Sequence, residues 1–484
     1  MVTSLTPLMR WLLLPLLLLA ACQSDSTTET AQEQPGTQPS SAAAFTIKHP
    51  EWASTATIYQ VNVRQYTPEG TFRAFERDLP RLQKMGVGIL WLMPINPIGV
   101  SHRKGTLGSA YSVRDYRAVN PELGTMADLQ HLVREAHQRG MRVILDWVAN
   151  HTAWDSPLVT QHPDWYTRDS LGNFRPPVAD WQDVIDLDYR QTALRQYMTE
   201  SMVYWVKNAD IDGYRADVAG LVPTDFWNDT RRELEKTKPV FMLAEWDELF
   251  PPTFISRNEF DPNTRLLEKA FDATYALRLH GLLDSLGRGQ KPTAELARYY
   301  VAERQRYPAG VQLMTFTSSH DINAWDGSEY ERLGANAVPE AVLAMLLPGI
   351  PMLYNGQEAA MKRRLRFFDK DTIPWNGYPL QDFYTKLIAL KKQHPALRNF
   401  DAESKFRLLP SAPGTVVFDR RKGTEAVVVA VNLSDKEQPF SLPPTPSATG
   451  WQYMPVLRSD AGKAWKQGLL PPHGYCVLKQ YVMD

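Results

Sequence analysis

The sequence is poor in cysteine, in net charge and in long apolar runs. It contains two cysteines, Cys22 and Cys476, and carries a formal net charge of −1 over 484 residues. So balanced a charge leaves no electrostatic footprint for a nucleic-acid partner. An N-terminal apolar stretch, Trp11–Leu19, is too short to cross a membrane as a permanent helix. A hydrophobic content of 43% nevertheless suffices for a large buried core and a smaller second domain.

The N-terminal apolar stretch has the features of an export signal. It follows a single basic residue, Arg10, and is typical of the apolar region of a signal peptide. The sequence Leu19-Ala20-Ala21-Cys22 resembles the bacterial lipoprotein signal, in which cleavage leaves an acylated N-terminal cysteine. The resemblance implies that residues 1–21 are a lipoprotein signal peptide and that Cys22 is lipidated. A plain secretory signal with an incidental cysteine is the alternative.

Lipidation at Cys22 would anchor the exported protein to a membrane of the cell envelope without spanning it. Cys476 would then remain unpaired, so we expect no disulfide in spite of export. Gln23, rather than aspartate, after the lipidated cysteine favours the outer membrane over the inner one, with the membrane face left open. Residues 22–44 are polar and rich in Ser, Thr and Gln. They predict a flexible tether, because they cannot bury enough apolar surface to fold.

Residues 45–398 show short apolar runs that alternate with amphipathic stretches, and they predict a (β/α)8 TIM barrel, an α/β fold. The amphipathic stretches include Phe72–Met85 and Met126–Arg139, and Gly140 after the second is a plausible helix cap. Eight strands with intervening helices are what such a barrel needs. The predicted strands are Ile58–Val63, Val87–Leu92, Met141–Trp147, Gly213–Asp217, Val240–Glu245, Ala270–Tyr275, Gln312–Thr317 and Ile350–Tyr354.

Two regions depart from this alternation. The connection at about residues 152–187, after the third strand, is rich in Pro, Asp and Trp. It predicts a small irregular insertion over the rim where the strand ends meet. Residues 399–484 change to short alternating apolar runs, which predict a C-terminal all-β sandwich domain. Its predicted strands are Phe406–Leu409, Thr415–Arg420, Ala426–Asn432 and Tyr475–Gln480.

Four short segments place ionisable residues at the C-terminal ends of predicted strands. They are Asp146–His151, Gly213–Asp217, Glu245 and His320-Asp321. Strand ends of a parallel barrel converge on one rim, so these residues are expected to meet there. In this order, each on its matching strand, the segments resemble the motifs of glycoside hydrolase family 13, the α-amylase family. The resemblance covers roughly residues 50–395 and implies action on α-glucans such as starch and maltooligosaccharides.

Cleavage of a glycosidic bond with retention needs two carboxyl groups about 5–5.5 Å apart, one to attack the sugar and one to protonate the leaving oxygen. Asp217 and Glu245 end consecutive strands and are predicted to be neighbours at the rim. The resemblance implies that Asp217 is the nucleophile and that Glu245 is the general acid and later the base. It also implies that Asp321 stabilises the cationic transition state. Glu245 would need a raised pKa to hold its proton.

Further residues are predicted to support this chemistry. Arg215 lies two residues before Asp217, so both side chains share one face of the strand, and a guanidinium there keeps the nucleophile ionised. The resemblance implies that His151 and His320 hydrogen-bond the sugar next to the cleaved bond. Asp146 is expected to orient neighbours such as Arg215 rather than to perform chemistry.

Some positions depart from the family pattern. The resemblance implies that Tyr111 stacks on the sugar, although Ala110 and Ser112 replace the Gly and Asp that flank this tyrosine in many members. Gly220 and Leu221 replace a Lys-His pair that, in many α-amylases, contributes to substrate binding and to a calcium site. These departures leave open the preference among α-1,4 bonds, α-1,6 bonds and sucrose.

A structural calcium ion is possible, although the chemistry requires no cofactor. Asn150 occupies a position that often ligates calcium in the family, and hard oxygen donors suit this ion. Simple solvation is the alternative for the nearby acidic residues, which are Asp180, Asp183, Asp186 and Asp188.

Aromatic residues around the rim are candidates for stacking on acceptor sugars. Trp246 directly follows Glu245 and is the best placed of them. The others are Trp154, Trp165, Tyr166 and Trp181.

Three functions are compatible with these features. The first is a retaining α-glycosidase that hydrolyses α-1,4 bonds of α-glucans, as an α-amylase does. The second is a 4-α-glucanotransferase-like transglycosylase, in which a sugar hydroxyl rather than water resolves the covalent intermediate. The third is a non-catalytic glucan-binding lipoprotein, which is disfavoured because decay should first remove one of Asp217, Glu245 and Asp321.

Overall fold

The structure, a computed structural model, describes residues 47–247, 263–308, 310–444, 451–460 and 468–482. The predicted signal peptide at residues 1–21, the lipidation site Cys22 and the predicted tether at residues 22–44 lie outside the described residues. Among the helices of the described ranges, none combines the length and the apolar character needed to cross a membrane.

The barrel prediction is confirmed, and each of the eight strands lies within its predicted span. The eight run parallel and close in the order β1-β2-β3-β6-β7-β8-β9-β10, and β10 pairs back onto β1. The first ten strands of the chain are β1 (Ile58–Val61), β2 (Ile89–Leu92), β3 (Arg142–Trp147), β4 (His151–Ala153), β5 (Val184–Asp186), β6 (Gly213–Ala216), β7 (Phe241–Ala244), β8 (Ala273–Tyr275), β9 (Gln312–Thr315) and β10 (Ile350–Tyr354).

Buried apolar side chains make these strands continuous hydrophobic runs, as is typical of a parallel sheet covered on both faces. In β2 and β7 every residue is buried. Gly213 opens β6 at a point where a Cβ atom would lie 1.9 Å from the carbonyl oxygen of Phe241. Only glycine therefore allows β6 to approach β7 this closely, and β6 carries Arg215 toward the rim.

The helices pack around the barrel by burying one face each. In the helix Met126–Gln138 a capping box joins Thr125 and Asp128, and Gly140 follows its end with φ +76°. The helices are α1 (Val63–Tyr66), α2 (Phe72–Glu76), α3 (Leu79–Met85), α4 (Met126–Gln138), α5 (Pro157–Gln161), α6 (Thr192–Ala209), α7 (Thr224–Glu235), α8 (Asn263–Lys269), α9 (Leu277–Gly287), α10 (Glu295–Arg306), α11 (Glu329–Leu333), α12 (Ala337–Leu346) and α13 (Gln381–Gln393).

The amphipathic stretch Phe72–Met85 forms two helices, α2 and α3, rather than one. Pro80 lies in the first turn of α3. A proline has no N–H to donate, and its ring would clash with the carbonyl group four residues earlier. The proline is tolerated only where a new helix begins, so the apolar periodicity continues across a break in the backbone.

The insertion after β3 is tied to the rim by a short antiparallel ladder. Strand β4 pairs with β5, and His151 lies opposite Asp186. Between these strands lie α5 and the buried side chains of Trp165 and Tyr166. The ladder begins at His151, so the insertion and a predicted substrate-binding residue share one element.

The C-terminal region is an antiparallel sheet with a small two-stranded ribbon. Its strand order is β11-β12-β13-β17-β15, and β14 pairs with β16. The all-β prediction is confirmed, whereas the predicted domain boundaries at residues 45, 398 and 399 stay predictions. The strands are β11 (Lys405–Leu409), β12 (Thr415–Lys422), β13 (Glu425–Asn432), β14 (Gln438–Pro439), β15 (Trp451–Arg458), β16 (Leu469–Leu470) and β17 (Tyr475–Val482).

The two faces of β13 serve two hydrophobic cores. Val427, Val429 and Val431 join the core of the barrel, while Val428 and Ala430 belong to a smaller core on the other face. Alternate residues of a strand point to opposite faces, which explains the division. The barrel and the C-terminal sheet therefore share one continuous apolar interior.

Candidate active site

Arg215 lies fully buried at the C-terminal rim of the barrel and gathers three carboxylates. Its Nη1 donates to Oδ1 of Asp146 at 2.7 Å and to Oδ1 of Asp217 at 2.8 Å. Its Nη2 lies 2.8 Å from Oε1 of Glu245, and its Nε donates to the hydroxyl group of Tyr275 at 3.0 Å. The three carboxylates come from β3 and from the ends of β6 and β7. The planar fork of the guanidinium holds Asp217 and Glu245 side by side.

The backbone after the nucleophile position fixes the second oxygen of Glu245. The N–H of Val218 donates to Oε2 of Glu245 at 2.9 Å. Val218 has φ +36° and ψ 49°, a left-handed conformation that a β-branched residue rarely adopts. Strain of this kind costs about 1–3 kcal/mol. Here it turns the amide that follows Asp217 toward the partner carboxyl group.

The rim holds more negative than positive charge in a buried setting. Burial raises the pKa of Asp217 well above its usual range; Arg215 opposes this rise, and the charge of Glu245 adds to it. Glu245 accepts from the N–H of Val218 and forms an ion pair with Arg215. The sequence led us to expect a raised pKa at Glu245, whereas the structure raises the pKa of Asp217.

Asp146 orients the neighbouring groups, as the sequence led us to expect. Its Oδ2 accepts from the hydroxyl group of Tyr111 at 2.9 Å and from the indole nitrogen of Trp91 at 3.1 Å. The Tyr111 ring stacks on the ring of His320 with 5.3 Å between centroids and an interplanar angle of 18°. Through its two oxygens Asp146 thus fixes both the guanidinium and the phenol.

The tautomer of His320 follows from its contacts with Gln60 at the end of β1. Oε1 of Gln60 accepts from the backbone N–H of His320 at 3.1 Å, which sets the orientation of the amide. Nε2 of Gln60 then donates to Nδ1 of His320 at 2.7 Å, so the ring proton is on Nε2. That nitrogen lies 2.8 Å from the Tyr111 hydroxyl group and 3.1 Å from Oδ2 of Asp321.

Asp321 is the most open of the three predicted catalytic carboxylates, with 42% of its side chain exposed. Burial of the carboxyl group would raise its pKa, but the contact with His320 and the charge of Arg215 lower it below the usual value. An ionised carboxylate is the state that stabilises a cationic transition state.

His151 faces Asp217 from the start of β4. Its Nε2 lies 4.0 Å from Oδ2 of Asp217, and its ring meets the indole of Trp181 edge to face at 5.6 Å. Burial lowers the pKa of His151 to about 4, so the ring is neutral near pH 7. A neutral imidazole can donate one hydrogen bond to a sugar hydroxyl group without adding charge.

The structure therefore brings together every predicted catalytic and substrate-binding residue, and it adds others. Gln60, Trp91 and Tyr275 contact this group, and no sequence motif predicts them. Each lies in or at the end of a predicted barrel strand. Their place on these strands is the only feature of the sequence from which one could have inferred that their side chains point toward the rim.

The prediction of aromatic stacking surfaces is wrong for three residues. Trp165, Tyr166 and Trp246 are buried, with 4%, 3% and 1% of their surface exposed. Trp246 packs over Gly220, where a Cβ atom would lie 2.0 Å from the indole ring. Gly220 departs from the Lys-His pattern, and the indole of Trp246 occupies the space that a side chain at this position would need.

The acidic residues near Asn150 make contacts within the protein, and the calcium ion stays a prediction. Asn150 is buried, and its side-chain nitrogen lies 3.4 Å from Nδ1 of His151. Within the described ranges, no three His, Cys, Asp or Glu side chains are arranged to hold a metal. Three of the nearby carboxylates already have protein partners. Asp183 pairs with Lys104, Asp186 accepts from Thr167, and Asp188 pairs with Arg190.

Comparison with known proteins decides the family. The model of the family "Alpha amylase, catalytic domain" matches residues 62–182 and 165–247. A crystal structure of an α-amylase from Lactobacillus plantarum is 34% identical, with a TM-score of 0.77, and the match covers 88% of this chain and 99% of that one. The chain belongs to the α-amylase family. Membership places it among glycoside hydrolases and matches the arrangement of carboxylates at the rim.

More distant members of the α-amylase family are similar over most of this chain. The α-amylase MalA of Haloarcula japonica is 26% identical, over 81% of this chain and 58% of its own length. A cyclomaltodextrin glucanotransferase of Geobacillus stearothermophilus is 25% identical, over 73% of this chain and 52% of its own length. This chain thus spans little more than half the length of these two relatives.

Proposed function

We propose that this α-amylase-family protein is a retaining α-glucan hydrolase that cuts α-1,4-glucosidic bonds of starch and maltooligosaccharides. The observation that carries the proposal is the placement of Asp217 and Glu245 on neighbouring nitrogens of the buried Arg215 guanidinium. Two carboxyl groups held this close suit a double displacement rather than a direct attack by an intervening water. The substrate is inferred from the α-amylases among the relatives.

In the first step the carboxylate of Asp217 attacks the anomeric carbon while Glu245 gives its proton to the glycosidic oxygen. A bond forms between carbon and the Asp217 oxygen, the glycosidic bond breaks, and the shortened glucan leaves as an alcohol. In the second step Glu245 removes a proton from water, whose oxygen attacks the same carbon and releases Asp217. Two inversions at one carbon retain its configuration.

Attack in the first step needs Asp217 ionised and Glu245 protonated, whereas burial raises the pKa of Asp217. Hydrogen bonding of the glycosidic oxygen to a protonated Glu245 favours the distribution of protons that the step needs. The ionised Asp321 and the neutral His151 then hold the ring as positive charge develops.

The test is incubation of the full chain with starch, pullulan, maltooligosaccharides and sucrose, with products resolved over time. We expect shortened α-1,4 products from starch and maltooligosaccharides. Asp217→Asn should abolish them, and Glu245→Gln should slow cleavage by about 10²–10⁴-fold for poor leaving groups. Asp229→Asn, at an exposed carboxylate of α7, is the matched control. Unchanged activity in Asp217→Asn would refute the mechanism.

Transglycosylation at the same site is the second candidate, because one relative is a cyclomaltodextrin glucanotransferase. The covalent intermediate can be resolved by a sugar hydroxyl group instead of water, with the same two carboxyl groups in the same roles. The time course separates the two functions. Products longer than the supplied maltooligosaccharide would identify transfer, whereas hydrolysis yields only shorter ones.

Export and lipid anchoring belong to the same proposal and depend on Cys22. The support is the sequence Leu19-Ala20-Ala21-Cys22. Metabolic labelling with a fatty acid should mark the full-length protein and should fail for Cys22→Ser, which should also leave the membrane fraction. Labelling of Cys22→Ser would contradict lipidation at this residue. The preference for the outer membrane can be read from the fractionation of the same cells.

A further inference from the structure

A solvent-exposed aromatic cluster lies beside the catalytic rim. Trp325, in a π-helical turn (Ile322–Asp326) four residues after Asp321, has 54% of its surface exposed. Its ring centroid lies 5.3 Å from that of Phe367 and 5.8 Å from that of Phe368. The two phenylalanines meet edge to face at 5.0 Å. We call these three residues the aromatic platform.

Hydrogen bonds between two loops fix the platform in place. The side chain of Asn323 accepts from the backbone N–H of Leu365 at 2.9 Å and donates to the carbonyl oxygen of Arg363 at 3.2 Å. Arg364 donates to the carbonyl oxygens of Trp325 and Asp326 at 2.9 and 3.1 Å. The turn that carries Trp325 and the loop that carries the phenylalanines are therefore held as one surface.

The platform is continuous with the substrate site. The Phe367 ring lies nearly parallel to Tyr111, at 14° and 6.4 Å, and to His320, at 29° and 6.2 Å. The indole of Trp325 also helps to lower the pKa of Asp321, after the larger effects of burial, which opposes it, and of His320. A chain that enters between Asp217 and Glu245 and extends past Tyr111 meets Phe367 and then Trp325.

Core packing does not explain the exposure of Trp325. More than half of this side chain remains in solvent, on a rigid turn whose other anchors are polar. Flat aromatic faces suit the apolar C–H face of a pyranose ring, while nearby polar groups can meet its hydroxyl groups. Arg363 and Asp371, joined by a 2.8 Å ion pair beside the platform, supply such groups.

We propose that Trp325, supported by Phe367 and Phe368, is a stacking site for a glucose ring of the α-glucan outside the position where cleavage occurs. The proposal rests on the proposed function for the identity of the sugar. It predicts that Trp325 contributes more to the cleavage of long substrates than to that of short ones.

The experiment compares Trp325→Ala, Trp325→Phe and Met454→Ala in the full chain. Met454 is an exposed apolar residue of the C-terminal sheet, 40% exposed, and serves as the matched control. For each protein, kcat/KM is measured with maltoheptaose and with α-glucosyl fluoride, whose single ring fills only the site of cleavage. Calorimetric titration of Asp217→Asn and of Asp217→Asn/Trp325→Ala with maltoheptaose measures binding without turnover.

We expect Trp325→Ala to lower kcat/KM for maltoheptaose roughly two- to tenfold more than that for α-glucosyl fluoride. Trp325→Phe keeps a flat face but loses the indole N–H near Asp321, so it should retain most of the long-chain activity. Met454→Ala should match the unmodified protein. The added Trp325→Ala change should weaken maltoheptaose binding to Asp217→Asn by a similar factor.

Equal losses with both substrates would overturn the proposal, because they would mean that Trp325 acts through Asp321. Unchanged binding and activity with maltoheptaose would overturn it as well. If the unmodified protein hydrolysed no α-glucan while Asp217→Asn still bound maltoheptaose in a Trp325-dependent way, the platform would stand and the hydrolytic function would fall. Thermal melting of Trp325→Phe and Trp325→Ala checks that both fold.

Discussion

At Gln60 a single amide determines which nitrogen of His320 carries a proton. One end of the amide accepts from the His320 backbone, and the other donates to Nδ1 of its ring. The ring proton therefore faces Tyr111 and Asp321. The hydroxyl proton of Tyr111 is then available for Asp146. An ordered chain of donors thus begins at Gln60 and ends at the carboxylate that holds Arg215.

Gln60→Glu should disrupt this chain. A carboxylate accepts from Nδ1 instead of donating to it, so Nδ1 should gain a proton while Nε2 keeps its own beside Asp321, and His320 should become an imidazolium. We expect kcat/KM to fall about tenfold or more, since a lost buried hydrogen bond costs about 1–3 kcal/mol. Nitrogen-15 resonances of the His320 ring report its protonation. An unchanged protonation state and rate would contradict the assignment.

The sequence predicts the residues that we propose to perform the chemistry, whereas it does not predict the groups that support them. Asp217, Glu245 and Asp321 occupy family motifs, and the barrel brings them to one rim. Gln60 contacts a residue 260 positions away, and that contact exists only because the last strands close onto the first. The raised pKa of Asp217 likewise depends on the burial of its carboxyl group and on charges that the fold brings near it, which no motif encodes.

At the scale of elements, the close approach of Trp246 to Gly220 determines the shape of the segment that follows the nucleophile. Gly220 lies in a short 3-10 turn, Ala219–Leu221, whose residues are all buried. The indole fills the volume that a side chain at position 220 would need. The sequence alone predicts a stacking surface at Trp246, because this residue follows Glu245. Its place in the sequence does not determine the direction in which its side chain points.

Gly220→Ala should destabilise the protein. Its methyl group would lie 2.0 Å from the Trp246 ring, and relief of such overpacking costs about 1–3 kcal/mol. Gly281→Ala is the matched control, since Gly281 lies within α9 with nothing within 4 Å of an added Cβ. It should stabilise by up to about 1 kcal/mol through helix propensity. Urea unfolding measures both, and equal effects would contradict the packing.

Element boundaries show where the sequence pattern is insufficient. All eight barrel strands lie within their predicted spans. A strand of a parallel barrel is buried on both faces, so it is visible in the sequence as a short continuous apolar run. Strand β15 was missed. It contains Pro455 and pairs with β17 through an irregular register between Pro455 and Leu457. A proline within a run argues against a strand, and it is tolerated here at a bulge on the sheet edge.

For the whole molecule, three buried histidines link stability to pH. Burial lowers the pKa of His151, His280 and His394 to about 4 in each case, from 6.5. The unfolded chain binds protons to these groups at a higher pH than the folded chain does. Stability is therefore fully present above pH 6.5 and is lost as the pH falls toward 4.

We expect the free energy of unfolding to fall over this window by up to roughly 1.4 kcal/mol per pH unit for each histidine. His280 stacks on Phe316 at 4.9 Å, away from the catalytic carboxylates. His280→Gln should remove the contribution of one histidine to the change of the free energy of unfolding with pH. It should leave the catalytic groups unchanged. Urea unfolding at stepped pH provides the measurement, and an unchanged slope in the variant would count against the assignment.

Chelation tests the calcium prediction at the same scale. The carboxylates near Asn150 are occupied by protein donors, so excess EDTA should leave the melting temperature and the activity unchanged. A fall in melting temperature that added calcium reverses would show a site that these contacts do not reveal.

The shared interior of barrel and C-terminal sheet has a consequence for biosynthesis. Strand β17 pairs with β13 and β15, and Val477 belongs to the barrel core together with Val427 and Val429. Until β17 has been synthesised, β13 lacks its pairing partner on that side and the core lacks Val477. The newly made chain therefore carries an unpaired, valine-rich strand edge late in its synthesis, and such an edge can pair with another chain.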